Sequence, residues 1–185
     1  MIRPSLAEEI EAAARGDEQA FAIIWHALQP PLLRYLRVVA REAADDLASD
    51  TWLEVVRGLP AFTGDEAGFR SWVFTIARHR AIDLRRQQAR RPVEPVPAEL
   101  LPELGSSDDP AAAALETLST EAALAMIARL PPDQAEVVML RAVAGLDVAQ
   151  VAELVGKRPG TVRVLAHRGL RRLAAMFPAP REANR

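Results

Sequence analysis

The chain has 185 residues, half of them apolar, so it can bury one modest core or two small ones and is globular rather than disordered. It contains no cysteine, which excludes disulfides, thiolate zinc sites and thiol redox sensing. The net charge is −2. The N-terminal MIRPSLAEEIEAAARG carries acids where a secretion signal needs an apolar core, and no apolar run approaches a membrane span, so a cytoplasmic protein is expected.

Alanine, leucine, glutamate and arginine dominate, and the pattern predicts an all-α chain. Asp17 is placed to cap a helix through DEQAFAIIWHAL, which Pro30-Pro31 interrupts or restarts before LLRYLRVVA. A helix over about 43–58 is ended by Gly58 and Pro60, and a long one runs from about Glu66 to Arg91. Residues 92–111 then hold five prolines, five acids and no basic group, the composition of a tether. Such a tether spans ~60 Å extended and ~25 Å as a coil, against roughly 70 Å for two turns of B-DNA. Helices resume at about 112–129, 132–143, 148–155 and 160–176.

Charge alternates along these elements. Residues 1–66 are net −6, 67–91 net +6, 92–156 net −9 and 157–185 net +7. A single basic block is often a solvated helix face. Two of them, each ending a helical unit, suit a polyanion touched at two places.

In VAQVAELVGKRPGTVRVLAHRGL, Ala152, Gly156 and Val162 stand at helix-turn-helix offsets: a small residue at the crossing, glycine in the turn, an apolar anchor on the second helix. On that second helix Val162, Leu165, Ala166, Gly169, Leu173 and Met176 form one arc. Arg163, Val164, His167, Arg168 and Arg171 form the opposite one, the disposition of a recognition helix in a major groove. Thr161, Arg163, Val164 and His167 fall on the base-edge side. Lys157, Arg158, Arg168, Arg171 and Arg172 are placed to contact phosphate.

On FRSWVFTIARHRAIDLRRQQARR, an apolar stripe of Phe69, Trp72, Val73, Ile76, Ala77 and Leu84 is predicted. Arg70, Arg78 and Arg85 lie on the other side with Phe74 among them, an arrangement that stacks unpaired bases and grips their backbone. Burial of Phe74 against a neighbouring helix is the competing reading. Arg80 points toward the stripe and is expected to pair with an acid. Earlier, ADDLASDTWLEVVRGL has an apolar face of Leu47, Thr51, Trp52, Val55 and Leu59. Its other face shows Asp46, Ser49, Asp50, Leu53 and Glu54, which is either a wet helix face or a protein-docking surface.

Together and in this order, these segments resemble the extracytoplasmic-function group of bacterial sigma-70 family sigma factors, over roughly residues 17–91 and 115–175. The resemblance implies two small helical domains: a region 2-like bundle (1–91) and a region 4-like helix-turn-helix (112–177), joined by the proline- and acid-rich linker (92–111) and followed by a tail (178–185). It implies that Asp46, Ser49, Asp50, Leu53 and Glu54 dock on the β′ clamp coiled coil of core RNA polymerase. It places Arg70, Phe74, Arg78, His79, Arg85 and Arg86 at the −10 element, which they melt and read. The helix-turn-helix, through the residues from Lys157 to Arg172 named above, is assigned to the −35 element, and another surface of that domain to the β flap. In family members the linker passes near the polymerase active-site cleft and RNA exit path. Three positions depart from common family residues: His79 for asparagine, Ser49 for glutamine and Val164 for serine. They leave the promoter sequence open.

Opening some ten base-pair steps costs ~14 kcal/mol at about 1.4 kcal/mol each, while capturing a flipped base returns only a few kcal/mol. A chain of this size is therefore expected to need core polymerase as well as promoter DNA, with an anti-sigma factor as a further implied partner. No cofactor, metal or catalytic residue is expected. His26, His79 and His167 are dispersed, the GKR at 156–158 lacks the spacing of a phosphate-binding loop, and no catalytic constellation is evident. Two rivals stay open: a dimeric helix-turn-helix regulator binding operator DNA without polymerase, and an all-helical adaptor without DNA contact.

Overall fold

The computed structural model describes residues 5–90 and 112–176, with side chains in the second stretch described from Thr120 onward. The tether and the tail lie outside the described residues. Among those described there are eight α-helices and no strand.

The first helix, α1 (Ala7–Ala14), was not anticipated. Leu6, Ile10 and Ala13 are buried, an apolar i, i+4, i+7 spacing that was there to be seen. The Leu6 amide donates to Glu66 Oε2 at 2.9 Å, tying the start of the chain to the later long helix. Asp17 caps α2 (Glu18–Ala40) as expected, its Oδ1 accepting from the Gln19 and Ala20 amides at 2.9 and 3.0 Å.

The expected break at Pro30-Pro31 does not occur, because α2 runs through both prolines. The prolines deprive the carbonyls of His26 and Ala27 of their helical donors, but both residues are exposed, so water can serve those oxygens. An interior proline costs about 3 kcal/mol. Burial of Leu28, Leu32, Tyr35 and Leu36 on the same helix returns ~1.5–3 kcal/mol each, which decides in favour of continuity.

Helix α3 (Ala44–Gly58) follows a 3-10 turn at Arg41–Ala43. Its predicted apolar face is all buried: Leu47, Thr51, Trp52, Val55 and Leu59. Trp52 meets Phe21 edge-on with ring centroids 5.8 Å apart, and its Nε1 donates to Gln29 Oε1, which fixes α3 against α2. At Gly58 an added Cβ would lie 2.7 Å from the Trp72 ring, so a larger residue there would have to push that ring aside. Helix α4 (Glu66–Arg90) crosses beneath, with Phe62, Phe69 and Trp72 forming an aromatic cluster at its start.

The C-terminal helices are α5 (Ala112–Ala128), α6 (Pro132–Ala142), α7 (Val148–Val155) and α8 (Pro159–Met176). Met139, Leu140, Leu146, Val151 and Val162 make their core. These helices do not stand apart from the N-terminal ones. Helix α2 packs on α5 and α6, and α4 touches α7. Val38 of α2 lies against Leu130, Ala135 and Val138, and Gln150 Nε2 donates to the Ala67 carbonyl at 2.9 Å.

Candidate nucleic-acid interface

The turn between α7 and α8 has the geometry its three key residues predict. Asp147 caps α7 in a reciprocal capping box with Gln150. Gly156 sits at φ 67°, a left-handed position that glycine occupies without strain. The Lys157 amide then donates to the Ala152 carbonyl at 2.9 Å, closing the turn. Val162 is fully buried and Ala152 nearly so.

Helix α8 rests on α6 along a narrow line. At Gly169 a Cβ would come 2.8 Å from Val138 Cγ2, so the glycine sets how closely the two helices approach. Leu165, Ala166 and Leu173 are half-buried there, whereas Met176 is 39% exposed and leaves the expected apolar arc. The opposite arc is open: Arg158, Thr161, Arg163, Val164, His167, Arg168 and Arg171 are all exposed. Two of the nominated phosphate contacts have partners on α6. Lys157 Nζ lies 3.0 Å from Asp133 Oδ2, and Arg172 Nη1 donates to Gln134 Oε1 at 2.9 Å.

The face nominated on α4 is different. Phe74 is fully buried, its ring edge-on to Tyr35 at 5.6 Å, so the expected exposed aromatic is a core residue. Arg70 is buried too, and its Nη2 meets Glu66 Oε1 at 3.4 Å. For Phe74 the cause is that α4 is covered by α2 as well as by α3, where a single-stripe reading allows one side; Arg70 lies near Ser5, Ala7, Gly145 and Gln150 at the start of α4. Arg78 is turned onto the C-terminal helices: its Nε donates to Glu136 Oε1 at 3.0 Å. Arg85 is exposed, with Nη2 donating to the Val39 carbonyl at 2.7 Å. His79 is exposed, and Arg86 is exposed with only a loose 3.7 Å contact to Asp83.

On α3, Asp46, Ser49, Asp50 and Leu53 are exposed. Ser49 Oγ donates to the Asp45 carbonyl at 3.1 Å within the helix. Leu53 is 55% exposed and Val56, which was not singled out from sequence, 51%. Val56 lies one turn on from Leu53's face, so a wheel that tracked apolar residues outside the buried stripe finds it. Glu54 is half-buried and bonds Arg80 Nη2 at 2.6 Å, the acid pairing expected for Arg80.

An open cleft of ≈ 520 Å³ between these faces is lined by Glu54, Arg78, His79, Arg80, Ile82, Asp83 and Arg86. It brings together three of the α4 residues nominated for DNA, places Glu54 of the acidic α3 face at their edge, and leaves Arg70, Phe74 and Arg85 outside. The chemistry on offer is charge and hydrogen bonding: α4 supplies three guanidinium groups, an imidazole and the Asp83 carboxylate, and α3 supplies the Glu54 carboxylate. No helix among the described residues is long and apolar enough to cross a membrane.

Comparison with known proteins matches residues 24–91 to the family described as Sigma-70 region 2 and residues 120–173 to Sigma-70, region 4. The ECF RNA polymerase sigma factor BldN of Streptomyces coelicolor is 34% identical over 173 residues, which span 92% of this chain and 65% of that protein. The ECF RNA polymerase sigma factor ShbA of Streptomyces griseus is 35% identical over 178 residues, 90% of this chain and 92% of the relative. Among solved structures, the sigma factor RpoE of Bartonella quintana, crystallised with the anti-sigma factor NepR, superposes with a TM-score of 0.61 at 21% identity, covering 84% of this chain and 94% of that one. That likeness shows the fold.

Proposed function

The chain belongs to the extracytoplasmic-function group of the sigma-70 family of RNA polymerase sigma factors, and from that membership we propose how its surfaces divide the work of starting transcription. It binds core RNA polymerase, directs it to promoters and takes part in opening the DNA, while the polymerase performs the chemistry. The observation that carries this reading is the co-occurrence, in one chain, of the region 2 and region 4 matches with a helix-turn-helix whose basic arc on α8 is open. The region 2 match accounts for the N-terminal helices, which a dimeric regulator leaves without a role.

The −35 element is read by the exposed arc of α8. Thr161, Arg163, Val164 and His167 face base edges, an arginine being able to fork onto guanine and a valine methyl to meet a thymine methyl. Arg158, Arg168 and Arg171 hold phosphate. Lys157 and Arg172 join them from positions steadied by Asp133 and Gln134. The −10 element is engaged by Arg78, His79 and Arg86 at the cleft and by Arg85 further along α4, with Phe74 and Arg70, which are buried, given no direct contact in this reading.

Docking on the β′ clamp coiled coil uses Asp46, Ser49, Asp50 and Leu53, extended by Val56. An acidic rim around two exposed apolar side chains is the pattern of an interface with buried anchors and a polar edge. The region 4-like helices also engage the β flap, an anti-sigma factor is a further partner, and the site of action is the cytoplasm. The units run over 1–91 and 112–177, joined by 92–111. Transcription by core polymerase with and without the chain tests this reading.

A further inference from the structure

The acid-rich N-terminal stretch gathers half of its positive charge in one place. Residues 1–66 hold six arginines and no lysine, and three of them, Arg34, Arg37 and Arg41, stand at the end of α2. Spacings of three and four residues put them along one side of the helix end. Arg34 and Arg41 are exposed and Arg37 is half-buried. The acids Glu42, Asp45 and Asp46 follow closely in the chain. Even so, none of the three guanidinium groups forms an ion pair or a side-chain hydrogen bond among the described residues.

Arg41 is held in a strained conformation. Its φ is 51° and its ψ −116°, a combination that glycine takes freely and a residue with a Cβ does not. It is the one non-glycine residue with positive φ among those described. Arginine stands where glycine would relax the turn, and strain of that kind collects at working surfaces. Attraction to the negative end of α2 accounts for only part of the group, because Arg34 lies before the last turn, where that field has faded.

Arg85 of α4 continues the surface: its Nη2 donates to the Val39 carbonyl at 2.7 Å, at the same end of α2. The basic end of α4 therefore adjoins the α2 arginines. We propose that Arg34, Arg37 and Arg41 form a further phosphate-binding surface, which holds the DNA backbone beside the −10 element. This rests on the reading of α4 as the −10 surface and extends that surface from one helix to two. Guanidinium forks match phosphate oxygens. From Arg34 to the end of α2 is about 9 Å, over which one DNA strand passes about three phosphates. The opened strand and the flanking duplex offer the same phosphodiester chemistry.

Fluorescent mixed-sequence 20-mers, one single-stranded and one duplex, titrated with the full chain across a salt series, test this without knowing the promoter. Arg34→Ala with Arg37→Ala should weaken binding and lower the salt slope by about 0.9 per lost contact on duplex, or about 0.7 on single strand. The DNA form that shows the loss identifies which part of the promoter is held. Arg15→Ala with Arg57→Ala removes the same charge from exposed arginines elsewhere in the N-terminal elements, and should keep the wild-type slope. Arg41→Gly separates binding from folding. It relaxes the turn, so the urea midpoint should rise while DNA affinity falls; a structural role alone gives a lower midpoint with unchanged affinity.

The proposal is overturned if Arg34→Ala with Arg37→Ala matches the Arg15 and Arg57 control, or if Arg41→Gly leaves affinity unchanged. It is equally overturned if the α2 variants lose affinity for core polymerase and not for DNA, which would make this surface a seat for an acidic protein. Arg86→Ala, measured alongside, judges the α4 reading by itself. Loss there with none at Arg34 and Arg37 confines DNA to α4, whereas loss only at the α2 arginines sustains their role and removes that of Arg86.

Discussion

The Phe74 ring meets the Tyr35 ring edge-on, with centroids 5.6 Å apart and neither side chain reaching solvent. This pair joins α4 to α2 directly beneath Arg78. The residue that looked most like a base-stacking platform is therefore a wedge holding α4 in place. Phe74→Ala should destabilise the chain by ~3–5 kcal/mol, read as a lower urea midpoint with unchanged slope. A variant that unfolds like the wild type would return Phe74 to the surface.

Tyr35 is the sole tyrosine of the sequence, so ultraviolet titration of phenolate absorbance reports it alone. Its folded pKa is raised by burial and by Glu136, while the unfolded chain ionises near 10. The unfolded state thus loses its proton first as pH rises. The stabilising contribution is complete below about pH 10 and is lost above it as pH climbs toward the folded value. Urea unfolding should show stability falling above pH 10 in the wild type, and a smaller fall in Tyr35→Phe.

Much of the fold was legible because local signals agreed. Asp17 and Asp147 cap where caps were expected, Gly156 turns where the turn was placed, and Leu47, Thr51, Trp52, Val55 and Leu59 bury as one face. Misreadings arose where tertiary packing outweighed a local rule. Pro30 and Pro31 usually break a helix, but apolar residues on both sides of them hold α2 in one piece. Helix α4 is covered by α2 as well as α3, and its start by the N-terminal segment and α7, so a wheel with one buried stripe put Phe74 and Arg70 in solvent. The bond from Arg78 to Glu136 joins residues 58 apart in sequence. Nothing local distinguishes Glu136 from the other acids of its segment.

The exposed α3 pair separates docking from stability. Leu53→Asp and Val56→Asp place charge on side chains already more than half exposed, so stability should stay within about 0.5 kcal/mol. Affinity for core polymerase should fall at least tenfold, about 1.4 kcal/mol or more. Fluorescence titration of labelled chain with core enzyme measures it, and retained affinity in both variants would move the docking surface elsewhere.

On α8 two arginines should behave differently. Arg163→Ala should weaken reading of the upstream element by ~1–3 kcal/mol and relax preference at one position. Arg168→Ala should weaken binding evenly across sequences and lower the salt slope by about one. Competition among promoter variants, with core polymerase bound to the chain, distinguishes them. An unchanged promoter profile in Arg163→Ala removes that residue from the base-reading set.

Run-off transcription by core RNA polymerase across a library of promoter fragments tests the central claim most directly. With the chain added, transcripts should arise from a subset of fragments sharing two elements at fixed spacing, and His79→Asn should change the downstream preference while leaving the upstream one alone. Core polymerase that transcribes the same fragments with and without the chain, alongside tight sequence-specific binding of duplex DNA by the chain alone, would contradict it.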